Sequence, residues 1–311
     1  MPEKPLLIFD TDMDTDCDDA GALALLYEFV KRGKAELLGI VADVPVHHAA
    51  PCCEAMGVYY GIERPVGAVP VNAYPPEETD RYVRYRAHHE RCTPHRYNRA
   101  MAARVGKTDA DYPTAAKLYR QLLANSPDSS VTIVCVGLLT ALAQLLETTG
   151  DEYSPLCGED LLRQKVQRVV SMGYPDKTGD NFNWDMDAPA AELFFARCPV
   201  PVTASGYGGS VITGGTLSGI FPADHPVRVA YETFTGGPNR GRSSWDLIAV
   251  LHAVEPDAPV LRTEEKGTCR FCAAEARSYW ENGPRQDKEL LPAVPDKELA
   301  VYLEARMTGE F

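Results

Sequence analysis

The chain has 311 residues, 45% of them hydrophobic and 24% charged, the balance of a globular protein able to bury a large core. Lys plus Arg number 31 against 44 Asp plus Glu, a formal charge of -13, which repels phosphate backbones and anionic lipid; no nucleic acid and no membrane are expected as partners. No apolar run approaches spanning length and Met1 to Pro5 lacks the basic start and apolar stretch of a signal peptide, so a cytoplasmic location is expected.

In chain order, residues 6–9 (Leu-Leu-Ile-Phe) form a short apolar run that reads as a buried strand stopping at Asp10. An acidic stretch follows. Residues 20–30 read as a helix, closed by Lys31-Arg-Gly33, with Asp18 and Asp19 where a helix start favours anions. A second strand, 37–42, ends at Asp43. Helix 49–60 and strand 65–69 come next, then an irregular segment, 72–112, rich in Arg, His and Tyr. Helix 113–124, strand 131–136, helix 138–147, strand 166–172, helix 188–196 and strand 200–204 continue the rhythm. Residues 243–252 read as a helix with a serine cap, 258–285 as a region holding a small hairpin, and 295–307 as a closing helix.

Alternating strands and helices imply an α/β fold, an open mostly parallel sheet with helices on both faces. No linker or repeat divides the chain, so one domain over 1–311 is expected. Ligands of such sheets bind beyond the carboxyl ends of strands. Asp10, Asp43, Val136-Gly137 and Met172-Gly173 stand at four such ends.

The nine cysteines are odd in number and scattered, which argues against a disulfide framework and for a reducing compartment. Cys135 sits in an apolar run and reads as a small buried hydrophobe. Cys269-Arg-Phe-Cys272 lacks the second pair or the histidines that a structural zinc needs.

The chemistry is concentrated in Asp10-Thr-Asp-Met-Asp-Thr-Asp-Cys-Asp-Asp19, six carboxylates in ten residues. A solvated turn gains nothing from such crowding, whereas a hard divalent cation with oxygen ligands relieves it. An EF-hand loop is excluded, because its sixth position is Thr15 instead of Gly and its twelfth is Gly21 instead of Glu. A haloacid-dehalogenase-like phosphatase loop, D-x-D-x-T after a strand, fits Asp10-Thr-Asp12 but has Asp14 at its fifth position.

A third match is broader. Residues 8–20, Ile-Phe-Asp-Thr-Asp-Met...Asp-Asp-Ala, resemble the strand plus D-x-D-P-G-x-D-D-A signature of the inosine-uridine-preferring nucleoside hydrolase family. Val136-Gly-Leu-Leu-Thr140 resembles the turn after that family's central strand. Met172-Gly173, Asn181-Phe-Asn183 and Asp187-Ala-Pro-Ala-Ala191 resemble its M-G-G, E-F-N and D-P-E-A-A pieces, and Trp245-Asp246 resembles a His-Asp pair at a helix start. The pieces fall in the family's order over about residues 6 to 255.

The resemblance implies one Ca2+ at the strand ends and hydrolysis of the N-glycosidic bond of a nucleoside or related N-riboside. It implies Asp12 as a metal ligand and as the general base for the attacking water. Asp19, the Val136 carbonyl and Asp246 would complete the metal ligands, and Asp18 and Asn183 would bind the sugar. A homodimer or homotetramer is expected.

The departures are specific. Two extra residues precede Asp18-Asp19, and Asp14 and Asp16 add charge; either is a metal ligand or a hydrogen-bond partner within the loop, and Asp16 reads as loop structure. Asp43 stands where the pattern has Asn and is a sugar or metal-water contact or else a turn residue. Asn181 replaces the Glu of E-F-N. Trp245 replaces a His found near the leaving base; it cannot act as an acid but can stack on a base or simply pack. His47, His48, His88, His89 and His95 are the histidines that could protonate the leaving group. A non-catalytic riboside-binding protein on the same fold is the remaining alternative.

Overall fold

The computed structural model describes residues 4–14, 16–71, 73, 85 and 96–311. Its central sheet has nine strands: β1 (Leu6–Thr11), β2 (Glu36–Ala42), β3 (Val66–Ala68), β4 (Val131–Cys135), β5 (Val166–Met172), β6 (Val202–Ser205), β9 (Leu261–Cys272), β10 (Arg277–Glu281) and β11 (Asp287–Pro292). A separate two-stranded pair joins β7 (Ile212–Thr213) to β8 (Arg242–Ser243). The order across the large sheet is β10-β9-β11-β6-β5-β4-β1-β2-β3. From β11 to β3 every pairing is parallel, and β9 runs antiparallel to both of its neighbours.

The apolar runs are continuous because both faces of the sheet are covered. In β1, Leu7 and Phe9 enter one core and Ile8 the other, as the two-residue period of a strand requires. Helices Asp18–Lys31, Trp245–Val254 and Asp296–Met307 pack on the first face, and Ala115–Ala124, Thr140–Glu147 and Ala188–Arg197 on the second.

Starting from β1 the chain winds outward through β2 and β3, then returns to the other side of β1 with β4 and winds away through β5 and β6. The direction reverses between β1 and β4, and a crevice opens at such a switch point beyond the strand ends.

The structure corrects four expectations. β1 does not stop at Asp10 but pairs on both sides through it, with Asp10 opposite Val41 and Cys135. The region after 258 is more than a hairpin: β9, β10 and β11 extend the main sheet. Ser244 stands at the N-cap of Trp245–Val254 without a capping bond; its hydroxyl pairs with Thr213 Oγ1 at 2.7 Å, which ties the helix start to β7. Helices Gly158–Lys165 and Pro226–Thr235 were not anticipated. Among the described residues no helix is long and apolar enough to cross a membrane, and no cysteine is in a disulfide.

Candidate active site

A cleft of about 360 Å³ opens at the β1/β4 switch point. Its floor is acidic. Asp12 follows β1, Asp18 and Asp19 occupy the first turn of Asp18–Lys31, and Asp246 occupies the first turn of Trp245–Val254. The two helices pack against each other, so both starts present their positive ends to one place. One carboxylate oxygen each from Asp18, Asp19 and Asp246 lies within 4.8 Å of the others. Thr11 Oγ1 donates to Asp19, and the Asp246 amide donates to Asp18 at 3.4 Å, which fixes both carboxylates. The Val136 carbonyl, just past β4, accepts from Asn183 Nδ2 at 2.5 Å, and both residues line the cleft.

Burial, and then the neighbouring carboxylates, push Asp12, Asp18, Asp19 and Asp246 well above the ordinary carboxylate range. Of the two described cations that line the cleft, Arg242 is spent on Asp16, to which its Nε donates at 2.9 and 3.0 Å, and Lys177 donates to the Asp180 carbonyl at 3.0 Å. An acidic set that is buried, makes no ion pair of its own among the described residues and offers only oxygen donors fits a hard divalent cation.

The chain is similar in fold to solved structures. No protein-family model matches the sequence, and no curated protein matches it significantly. The inosine-uridine-preferring nucleoside hydrolase of Bacillus anthracis superposes with a TM-score of 0.65 at 15% identity, over 99% of this chain and 100% of that one. The purine-preferring ribonucleoside hydrolase of Gardnerella vaginalis gives 0.66 at 16%, over 98% of each chain. The type III effector XopQ, solved with adenosine diphosphate ribose, gives 0.70 at 15%, over 99% of this chain and 94% of that one.

This is the nucleoside hydrolase fold.

The structure brings Asp12, Asp18, Asp19, Val136, Asn183, Trp245 and Asp246 into one cleft. Two other sequence-predicted residues are absent from its lining. Asn181 is 1% exposed; its Oδ1 accepts from the Tyr174 amide at 3.0 Å and its Nδ2 donates to the Tyr174 carbonyl at 2.8 Å. It shapes the loop that carries Tyr174. Asp43 is sealed at 0% exposure, facing Asp10 behind the cleft, and burial and that facing carboxyl push it well up. The raised Asp43 carboxyl keeps its proton and shares a hydrogen bond with Asp10. Asp10 also accepts from Tyr119 and from the Cys135 thiol.

The two puzzling members of the acidic stretch hold the loop. Asp14 accepts from Arg96 Nε at 2.7 Å and Asn98 Nδ2 at 2.6 Å, which anchors the chain near residue 97 to the loop. Asp16 accepts from the Cys17 amide at 2.7 Å and pairs with Arg242, at the rim of the cleft.

His47 and His48 do not line the cleft, and His88, His89 and His95 lie outside the described residues. Sequence reasoning missed Tyr174, Lys177, Phe182 and Arg242 as cleft residues. One signal was present: Tyr174 takes the place of the second glycine of M-G-G. Trp245 Nε1 donates to Tyr174 Oη at 2.7 Å, so two positions that depart from the family pattern are bonded to each other.

Proposed function

We propose that this protein is a calcium-dependent N-ribohydrolase that cleaves the glycosidic bond of a ribonucleoside or related N-riboside, releasing ribose and base. What supports the reading is the convergence of Asp12, Asp18, Asp19, Val136, Asn183 and Asp246 on one cleft at the switch point of this fold. Asp12, Asp19, the Val136 carbonyl and Asp246 would hold the ion. Once bound, the ion would supply Lewis-acid polarisation of the water and sugar hydroxyls at the site.

The chain's own groups do the rest. Asp12, 6% exposed at the cleft floor, accepts the proton of the attacking water. Asp18 and Asn183 hydrogen-bond the ribose and hold its anomeric carbon before that water, which lowers the entropic part of the barrier. The carboxylates favour a sugar ring that becomes positive in an oxocarbenium-like transition state. Trp245 and Phe182 give the base an apolar wall to stack on. A homo-oligomer in a reducing cytoplasm completes the proposal.

The phosphatase alternative loses its support, since Asp10, the first aspartate of that loop, is 0% exposed and outside the cleft. A non-catalytic riboside binder has one observation in its favour, the effector of this fold solved with adenosine diphosphate ribose.

The test is a panel of purine and pyrimidine nucleosides with calcium and with chelator. Calcium-dependent release of free base is expected, and Asp12→Ala should abolish it while the fold persists. Riboside binding without any turnover would establish the non-catalytic alternative.

A further inference from the structure

We propose that Tyr174 is the acid that protonates the departing base, positioned for this by Trp245. The assignment rests on the hydrolase reading above. A base leaves with the glycosidic electron pair on its nitrogen and needs a proton there to depart as a neutral molecule. No described histidine lines the cleft. Tyr174 does line it, half-buried, immediately after Gly173 at the end of β5.

The hydrogen bonds orient its hydroxyl. An indole N–H can only donate, so at the 2.7 Å contact with Trp245 Nε1 the Tyr174 oxygen is the acceptor. The phenolic proton therefore points elsewhere, and among the described residues no protein group accepts it. Two cations back the pair. Lys177 Nζ lies 4.2 Å from the centroid of the Tyr174 ring, and the Arg242 guanidinium carbon lies 5.2 Å from that of Trp245. The group that stabilises negative charge developing on the phenol oxygen is the Trp245 N–H donated to it, which works against burial and the Asp18 and Asp180 carboxylates.

The frame is rigid. The Lys177 amide donates to Ser278 Oγ at 3.0 Å, the Lys177 carbonyl accepts from the Ser278 amide at 2.9 Å, and the ammonium donates to the Asp180 carbonyl at 3.0 Å. Asn181 grips the Tyr174 backbone at both its amide and its carbonyl. Burial holds the Tyr174 hydroxyl above its ordinary range, so it carries its proton at neutral pH.

The step balances. The C1′–N bond breaks with both electrons going to nitrogen, and the Tyr174 proton joins that nitrogen, leaving its electrons on the phenol oxygen. Water adds to C1′ and gives a proton to Asp12. Proton exchange with solvent returns Asp12 and Tyr174 to their starting states, and the net change is riboside plus water to ribose plus base.

The experiment compares leaving groups. Wild type and Tyr174→Phe are assayed on nucleosides and on p-nitrophenyl riboside, whose nitrophenolate departs without a proton. Tyr174→Phe should lose about 100-fold in kcat on nucleosides and stay within about threefold on the nitrophenyl riboside. Trp245→Phe, which keeps a ring but lacks the N–H, should show the same selective loss to a smaller degree. Equal losses on both substrates would make Tyr174 structural and overturn the assignment, as would unchanged nucleoside turnover. If wild type cleaves neither substrate, the hydrolase reading itself fails and the assignment falls with it.

Discussion

Replacing Asp246 by Asn should change stability with opposite signs in chelator and in calcium. Its carboxylate shares a 4.8 Å sphere with those of Asp18 and Asp19. At that separation two unit charges repel by roughly 3 kcal/mol at an effective dielectric constant of 20. The metal-free protein relieves this repulsion by taking up protons, so the realised cost is smaller, about 1–2 kcal/mol at pH 8. Asp246→Asn removes that cost and should stabilise the chelated protein by this amount.

The pH dependence follows from the direction of the shift. Burial, Asp18 and Asp19 raise the folded pKa of Asp246 well above 3.8. A carboxyl raised on folding contributes stability below its unfolded pKa and loses it as pH rises through the folded value. The advantage of Asp246→Asn should therefore shrink toward zero as pH falls to about 4. In calcium the order reverses. Losing one anionic ligand should weaken binding about 100-fold, so the variant forfeits up to about 2.7 kcal/mol of ligand-linked stability. Urea denaturation of both proteins at pH 5 and pH 8, with chelator and with calcium, reads all of this. A variant less stable than wild type in chelator at pH 8, or equally stabilised by calcium, would refute the shared-ion arrangement.

Asp43→Asn should stay within about 1 kcal/mol of wild type in thermal melts at pH 8, because its amide can donate to Asp10 as the protonated Asp43 carboxyl does; a strongly destabilised variant would contradict that arrangement. Gly137→Ala places a methyl group under 3.0 Å from the Asp43 carboxylate and the Asp12 amide, so it should cost roughly 1–3 kcal/mol and weaken calcium binding in isothermal titration. Arg120, 2% exposed, donates to both Asp151 oxygens and to the Ser154 and Leu156 carbonyls. Arg120→Met should therefore cost about 3 kcal/mol in urea denaturation while leaving ion affinity unchanged.

Much of this protein follows from its linear order. The runs 6–9, 37–42 and 131–136 are short and apolar, and with 166–172 they alternate with helical stretches, which pointed to the α/β class. Six aspartates in ten residues pointed to a site that could hold a cation, since local charge density needs no tertiary information to be costly. The order of the later motifs singled out Asn183 and Asp246 as site residues, and both line the cleft.

Tertiary structure decided how the carboxylates divide. Asp10, Asp12, Asp14, Asp16, Asp18 and Asp19 are chemically identical in the sequence, and only their partners separate them. Asp10 is sealed by pairing on both sides of β1, while Asp14 is claimed by Asn98 and Asp16 by Arg242, residues 84 and 226 positions away. Asn181 had the spacing of a sugar contact, yet both ends of its amide are taken by the Tyr174 backbone. The Tyr174–Trp245 bond spans 71 positions and could not be foreseen from either residue alone. Side-chain chemistry is local and readable in a sequence, whereas a partner is set by how strands and helices stack, and that exists only in the folded chain.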